Sequence, residues 1–363
     1  MFRMKTYSIP LVPGPVSVPE RIREAWSIDF GSSDLEDEFF ELYAENQRLV
    51  QKILGTKESV VITSGEAMSI LWASLKCTLK PGDRLLAVAS GLFGEGFADM
   101  ARAIGVESET VAFPYDEIPD PQRVREVARR FRPQVVTAVH CETPSGTVNP
   151  YLKEIGEIAH ETGALFVVDF VSSAGGTPLD VDRSLIDIGL WGSQKALSLT
   201  PALSISTISD RAWEAIRRVN YAGYEAYLPW SEVPQKRYMP YSHDWQSMEA
   251  LNRSLSSFLE EGMEEVYARH AAAAALCRRR GREMGLRLFP KDEAFSSPTV
   301  TAFYVPNGWT WDAFNAKLRE YGLAVGGNYG PLAGRVFRIG HMGSQADEGL
   351  VGRGMDVIGE ALR

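Results

Sequence analysis

The sequence is short of positive charge and of cysteine, and it contains no long apolar run; each lack excludes a class of protein. With 38 Lys and Arg set against 47 Asp and Glu, the formal net charge is -9, and such a chain has no general attraction to nucleic-acid phosphates or anionic lipid. Its three cysteines, Cys77, Cys141 and Cys277, show no C-x-x-C spacing. That leaves neither a disulfide framework nor a metal site to expect, and a reducing cytoplasm is the natural setting. No run approaches the roughly 18 apolar residues of a membrane-spanning helix. The opening MFRMKTYSIPLVPGPVSVPE is broken by four prolines and has no apolar signal-peptide core, so neither export by such a peptide nor a membrane location is expected.

What is present fits a sizeable globular enzyme. The 363 residues, 45% hydrophobic and 23% charged, suffice for a large core divided between two or three units. Residues 1–19 read as an extended, proline-rich arm. Residues 20–250 begin with a polar helical stretch and continue as short β-branched runs (SVVIT, DRLLAVA, QVVTAVH, LFVVDF, DIGLWGS, LSISTIS) separated by helix-like segments such as Ala67–Leu79 and Tyr151–Thr162. That alternation predicts an α/β domain with a mostly parallel sheet covered by helices. The aromatic, proline-containing stretch Tyr221–Met248 is too long and irregular for a simple connection and reads as a functional loop. Residues 251–363, with a long helix interrupted at Gly262 and two later strand-like runs, predict a smaller C-terminal α+β domain.

Several local patterns carry chemistry. In Val167–Gly176 a strand of apolar residues surrounds one carboxylate, Asp169, and ends in a Ser/Gly-rich turn. This places Asp169 at the carboxyl edge of the sheet, where α/β enzymes bind ligands, although taken alone it is equally compatible with a turn cap. Lys195 follows 26 residues later in Gly192-Ser-Gln-Lys-Ala, flanked by apolar residues on both sides. A lysine becomes a nucleophile only if burial or a neighbouring cation strips its proton. At Ile62-Thr-Ser-Gly-Glu-Ala-Met68 a strand turns through Ser64 and Gly65 into a helix, whose N-terminus offers unpaired N–H groups to a phosphate. The turn Glu142-Thr-Pro-Ser-Gly146 closes another strand and faces the same edge. In Phe337-Arg338-Ile339 a guanidinium lies between large apolar residues, a setting that wants a carboxylate or phosphate partner and that an internal Glu would also satisfy.

Together and in this order, the motifs resemble the class V aminotransferases of the alanine/serine–glyoxylate type, in the fold type I group of pyridoxal 5'-phosphate proteins, over nearly the whole chain. The resemblance implies a seven-stranded, mostly parallel large-domain sheet. It implies that Pro13-Gly14-Pro15 is the N-terminal arm, with Gly14 near the substrate, and that Ser64-Gly65-Glu66 is the phosphate-binding turn. Phe93, in Ser90-Gly-Leu-Phe-Gly94, stands at the position of the aromatic that stacks on the pyridine ring. Thr143 is implied to contact the ring oxygen, Val171 to pack on the ring, and Gln194-Lys195 to match the family's Gln-Lys pair. Asp169 would hold the pyridine nitrogen protonated, Lys195 would form the Schiff base and shuttle a proton, and Arg338 would grip the substrate carboxylate.

The activity so implied is ping-pong transfer of an amino group from alanine or serine to glyoxylate or pyruvate, in a homodimer. Where relatives carry a Thr-Pro-Pro-like stretch that reaches the neighbouring subunit's phosphate, this chain reads Tyr241-Ser242-His243. The stretches SGLFGEGF, TPSGTVNP and RIGHMG are similar to the pyridoxamine–pyruvate branch, with Tyr329 in place of that branch's additional arginine. The alternatives are a pyridoxamine–pyruvate or 2-aminoethylphosphonate–pyruvate aminotransferase, and more remotely a cysteine desulfurase or lyase, or a non-catalytic cofactor-binding protein.

Overall fold

Seven short strands between residues 59 and 208 pair into one sheet in the computed structural model, which describes residues 5–363. They are β1 (Ser59–Ser64), β2 (Arg84–Ala89), β3 (Glu107–Ala112), β4 (Val135–Val139), β5 (Leu165–Asp169), β6 (Ile188–Gly192) and β7 (Leu203–Ile208). Their order across the sheet is β1-β7-β6-β5-β4-β2-β3. Six of them point the same way, and β7 alone is antiparallel to both its neighbours. The central strands β4, β5 and β6 are buried along their whole length, as expected of β-branched runs covered by helices on both faces.

Those helices are α1 (Asp37–Leu54), α2 (Met68–Thr78), α3 (Leu92–Ala103), α4 (Pro121–Phe131), α5 (Leu152–Glu161) and α6 (Asp210–Val219). Where local chemistry fixes a start it is visible: Asp120 caps α4 by accepting from Gln122 N–H at 2.9 Å, and Ser209 caps α6 by accepting from Ala212 N–H at 3.1 Å. The strand order reverses between β2 and β4, so the loops leaving these two strands diverge and open a crevice at their carboxyl ends. The catalytic candidates collect at this edge.

Beyond α7 (Trp245–Glu261), the helix α8 (Met263–Glu283) leads into a second core. The strands β8 (Val300–Tyr304) and β9 (Val336–Gly340) pair antiparallel, and helices α9 (Trp311–Glu320) and α10 (Glu348–Ala361) complete the unit. The expected division at residues 250 and 251 lies inside α7, whose Leu251, Leu255 and Phe258 all belong to the large core. Gly262, with φ +93°, separates α7 from α8, and large-core packing continues to Val266 before Ala273 and Cys277 join the second core. The arm packs on the second core. Ile9 and Leu11 are buried in the small-domain core, and Ile9–Pro10 pairs parallel with Leu323–Ala324. The first four residues of the expected arm lie outside the described residues.

Candidate active site

Two buried aspartates show how the sheet treats a carboxylate in opposite ways. Asp187, just before β6, is saturated: it accepts from Phe166 N–H at 2.9 Å and Ser209 O–H at 2.8 Å, and pairs with Arg211 at 3.1 Å and His160 at 3.0 Å. It is a structural group that ties β5, α5 and α6 together. Asp169, at the end of β5, accepts only from Val171 N–H at 2.8 Å among the described residues. Burial pushes its carboxyl up to about 6, against that hydrogen bond and the nearby Lys195 charge. A buried carboxylate left this poorly paired costs stability and so points to a partner from outside the chain.

Lys195 follows β6 and is half-buried. Its Nζ donates to the carbonyl oxygen of Pro13, so the arm crosses directly over it. Burial, and next the charge of Arg338, bring its ammonium down to about 8, which leaves a substantial fraction of neutral amine near neutral pH. Gly14 makes the crossing possible: it has φ +98°, and a Cβ there would lie 2.6 Å from Lys195 Cδ.

Around these two groups lies a cavity of about 220 Å³. Of the residues expected from the sequence, Gly14, Glu66, Phe93, Thr143, Asp169, Val171, Gln194 and Lys195 all line it. Gly14 comes from the arm and the others from the carboxyl ends of strands: Glu66 after β1, Phe93 after β2, Thr143 after β4, Asp169 and Val171 at the end of β5, and Gln194 and Lys195 after β6. Thr143 and Ser172 hydroxyls bond each other across the cavity wall. Gly65, at φ +132°, makes the turn that exposes the start of α2, and its N–H donates to Ala202 O at 2.8 Å. Ser64 faces a smaller neighbouring cleft beside Tyr227 and Trp230, where its buried Oγ has no partner among the described residues.

Arg338, on β9, stands behind the cavity. It is 3% exposed, donates from Nε and Nη2 to Gly327 O at 2.8 and 2.6 Å, and stacks under Tyr329 with 4.8 Å between the guanidinium carbon and the ring centre. No internal glutamate claims it among the described residues, so the competing reading of an Arg–Glu pair is not met.

The expected subunit-crossing stretch is placed differently. His243 is buried, its ring packs near Phe39, Tyr43 and Trp230, and its Nε2 lies 3.2 Å from Ile62 O. An aromatic nest and a backbone carbonyl of its own chain hold it. Ser242 donates to Asp34 at 3.0 Å, and both it and Tyr241, which packs against Tyr224, are exposed.

Sequence reasoning gave Glu142 no role of its own. The structure does: this fully buried carboxylate accepts from Gly94 N–H at 2.7 Å and Phe93 N–H at 3.1 Å, the first free donors of α3. Burial pushes it up to about 8 against those two bonds. It ties the Phe93 turn to the Thr143 loop. The legible signal was a helix start at Gly91, which has no capping side chain of its own. The three cysteines are all buried, and burial raises the thiols of Cys77 and Cys277 to about 12 and that of Cys141 to about 11. None is the exposed, mobile nucleophile of a desulfurase.

Fold and site together present one cavity in which a half-buried lysine with a lowered ammonium pKa shares the lining with a buried, sparsely bonded carboxylate. The chain belongs to the class-V aminotransferase family, whose profile matches residues 25–334, and it is a transaminase. It is 31% identical to the alanine–glyoxylate aminotransferase of Callithrix jacchus over 99% of this chain and 89% of that protein. It is 32% identical to the pyridoxamine–pyruvate transaminase of Mesorhizobium japonicum over 93% of this chain and 87% of the relative. The crystal structure of an alanine–glyoxylate aminotransferase from Nostoc sp. superposes with a TM-score of 0.95 at 27% identity, covering 100% of this chain and 97% of that one.

Proposed function

We propose that the chain is a pyridoxal 5'-phosphate-dependent aminotransferase that moves an amino group from a small amino acid of the alanine or serine type to glyoxylate or pyruvate. The observation that carries this reading is the convergence of Lys195, Asp169, Phe93 and Thr143 on one cavity. The residues fit the cofactor. Asp169 has an acceptor to spare for a ring nitrogen, and the Oε1 of Gln194 is buried without a partner. At the start of α2, the N–H groups of Glu66 and Ala67 have no partner among the described residues. The Glu66 carboxylate accepts from Met68 N–H at 3.0 Å, so this helix start already favours an anionic acceptor.

The cofactor would supply an electron sink for the pair released at the substrate Cα. The chain's own groups do the rest. Lys195 offers a largely desolvated amine that can take a proton from Cα and return it. Asp169, ionised, would hold a proton on the ring nitrogen. Phe93 and Val171 would pack against the ring, and Arg338, already aimed by Gly327 O, would present its remaining N–H groups to a carboxylate. Lys195 is the only cation lining the cavity among the described residues, which speaks against a phosphonate donor.

The test is the visible spectrum of the protein with cofactor, recorded before and after adding alanine, serine, 2-aminoethylphosphonate or pyridoxamine separately. Alanine or serine is expected to bleach the bound-cofactor band, and glyoxylate or pyruvate to restore it. Bleaching by pyridoxamine alone would move the assignment to that branch, which the Mesorhizobium relative makes the second reading.

The working unit is proposed to be a homodimer. Tyr224 and Tyr238 are 60% and 63% exposed on the loop that carries Tyr241, an aromatic patch that suits a partner surface. Gel filtration over a dilution series is expected to show activity falling with loss of the dimer, and an active monomer would refute this. No described helix is long and apolar enough to cross a membrane, and three buried free thiols suit a reducing, cytoplasmic compartment.

A further inference from the structure

Gln345 lies on the turn after β9, wholly buried, in a position the transamination chemistry does not itself require. Its amide is fully engaged. Nε2 donates to Val12 O and to Gly340 O, both at 2.8 Å, and Oε1 accepts from Ser17 N–H at 3.2 Å. One side chain therefore holds the N-terminal arm on both sides of Pro13-Gly14-Pro15. Upstream, Leu11 exchanges bonds with Ala324 and Gly340 at 2.8 Å each; downstream, Val16 N–H donates to Gln194 O at 3.1 Å and Ser344 O–H to Ser17 O at 2.5 Å.

The turn between these grips has little holding of its own. Two of its three residues are prolines without an N–H, and the Gly14 N–H has no partner among the described residues. Yet this turn faces the chemistry: Pro13 O meets Lys195 Nζ, and Gly14 lines the cavity. The arm backbone also seats directly on β9, since a Cβ at Gly340 would lie 2.3 Å from Val12 O. At such close quarters a carbonyl needs a donor, which an apolar side chain at 345 cannot give.

We propose that Gln345 is a positioning residue: it fixes the Pro13–Pro15 turn so that the Gly14 N–H and the Lys195 amine face the substrate together. The substrate-facing role rests on the aminotransferase reading above; the grip on the arm does not.

Two variants and two readouts separate these. In the cofactor-free protein, hydrogen exchange of residues 11–17 is expected to be about tenfold faster in Gln345→Leu, with β5 and β6 unchanged. In the loaded enzyme, the KM for the amino donor is expected to rise about tenfold in both variants, with kcat altered less than about threefold. Gln345→Glu adds a pH signature. As a carboxylate it faces two carbonyl oxygens and is defective near pH 8.5; protonated near pH 6 it can again donate to one of them, and its KM should return toward that of the wild type. Arm exchange like that of the wild type in Gln345→Leu would overturn the inference, as would unchanged KM and pH profiles in both variants. A wild-type protein that shows no cofactor band would sink the functional reading instead, and the exchange comparison would still decide whether Gln345 holds the arm.

Discussion

Lys195→Ala is expected to abolish the bound-cofactor band and to lower transamination by about 10⁴-fold or more, the upper range for losing a positioned proton-transfer group, compounded by loss of the nucleophile. The structure explains why no other group would substitute. Lys195 is the one amine lining the cavity among the described residues. The pH dependence has a definite sign. Burial and Arg338 hold the Lys195 ammonium at about 8, below its ordinary value, so the amine that attacks the cofactor gains population as pH rises toward 8 and saturates above it. Capture of cofactor by the apo-protein, followed by stopped-flow absorbance, should accelerate over that window and then level off. The same depression makes the charged lysine destabilising in the folded apo-protein below about pH 8, a cost relieved as pH rises toward the ordinary lysine value. Turnover in Lys195→Ala above about 1% of wild type would remove Lys195 from the centre of the mechanism.

How much of this was legible in the sequence depended on whether a residue's environment was local. Asp169, Lys195 and Arg338 each interrupt an apolar strand or its immediate flank, and a charge in such a place announces either a partner or a ligand. Six of the seven strands of the large sheet read directly as β-branched runs. Strand β3, Glu107–Ala112, did not, because it is an edge strand. Glu107 is exposed and Glu109 pairs with Arg130 on the surface, so its composition is that of a loop. The change of core along α7 and α8 leaves no local mark for a related reason: the helical pattern runs on while the large core extends to Val266 and the second core begins at Ala273. Gln345 carried no local signal at all. Its function rests on backbone atoms 328 and 333 positions away, and no pattern within a window of sequence encodes such a contact. The setting of His243 carried no local signal either, since its aromatic neighbours Phe39, Tyr43 and Trp230 come from outside its own stretch of sequence.

Asp169→Asn is expected to separate catalysis from stability. Asparagine is nearly isosteric and keeps an oxygen to accept from Val171 N–H, now bonded at 2.8 Å, but it places a neutral amide where the cavity offers a charge. It can no longer hold a proton on the ring nitrogen, so kcat/KM should fall by about 10²–10³-fold, the range for removing one electrostatic contact to developing charge. Stability should move the other way. Burial raises the Asp169 carboxyl from 3.8 to about 6 in the folded chain. The folded state therefore binds this proton more tightly than the unfolded state, and wild-type apo-protein loses stability as pH rises through that window, by roughly 3 kcal/mol for about two units. The asparagine variant has no such loss. Thermal unfolding of both apo-proteins at pH 4, 6 and 8 should show the variant gaining on the wild type as pH increases and holding its advantage above pH 6. A variant that is both inactive and less stable at every pH would make Asp169 a structural carboxylate like Asp187. A more stable but crippled variant would mark it as a group kept at a cost for its chemistry.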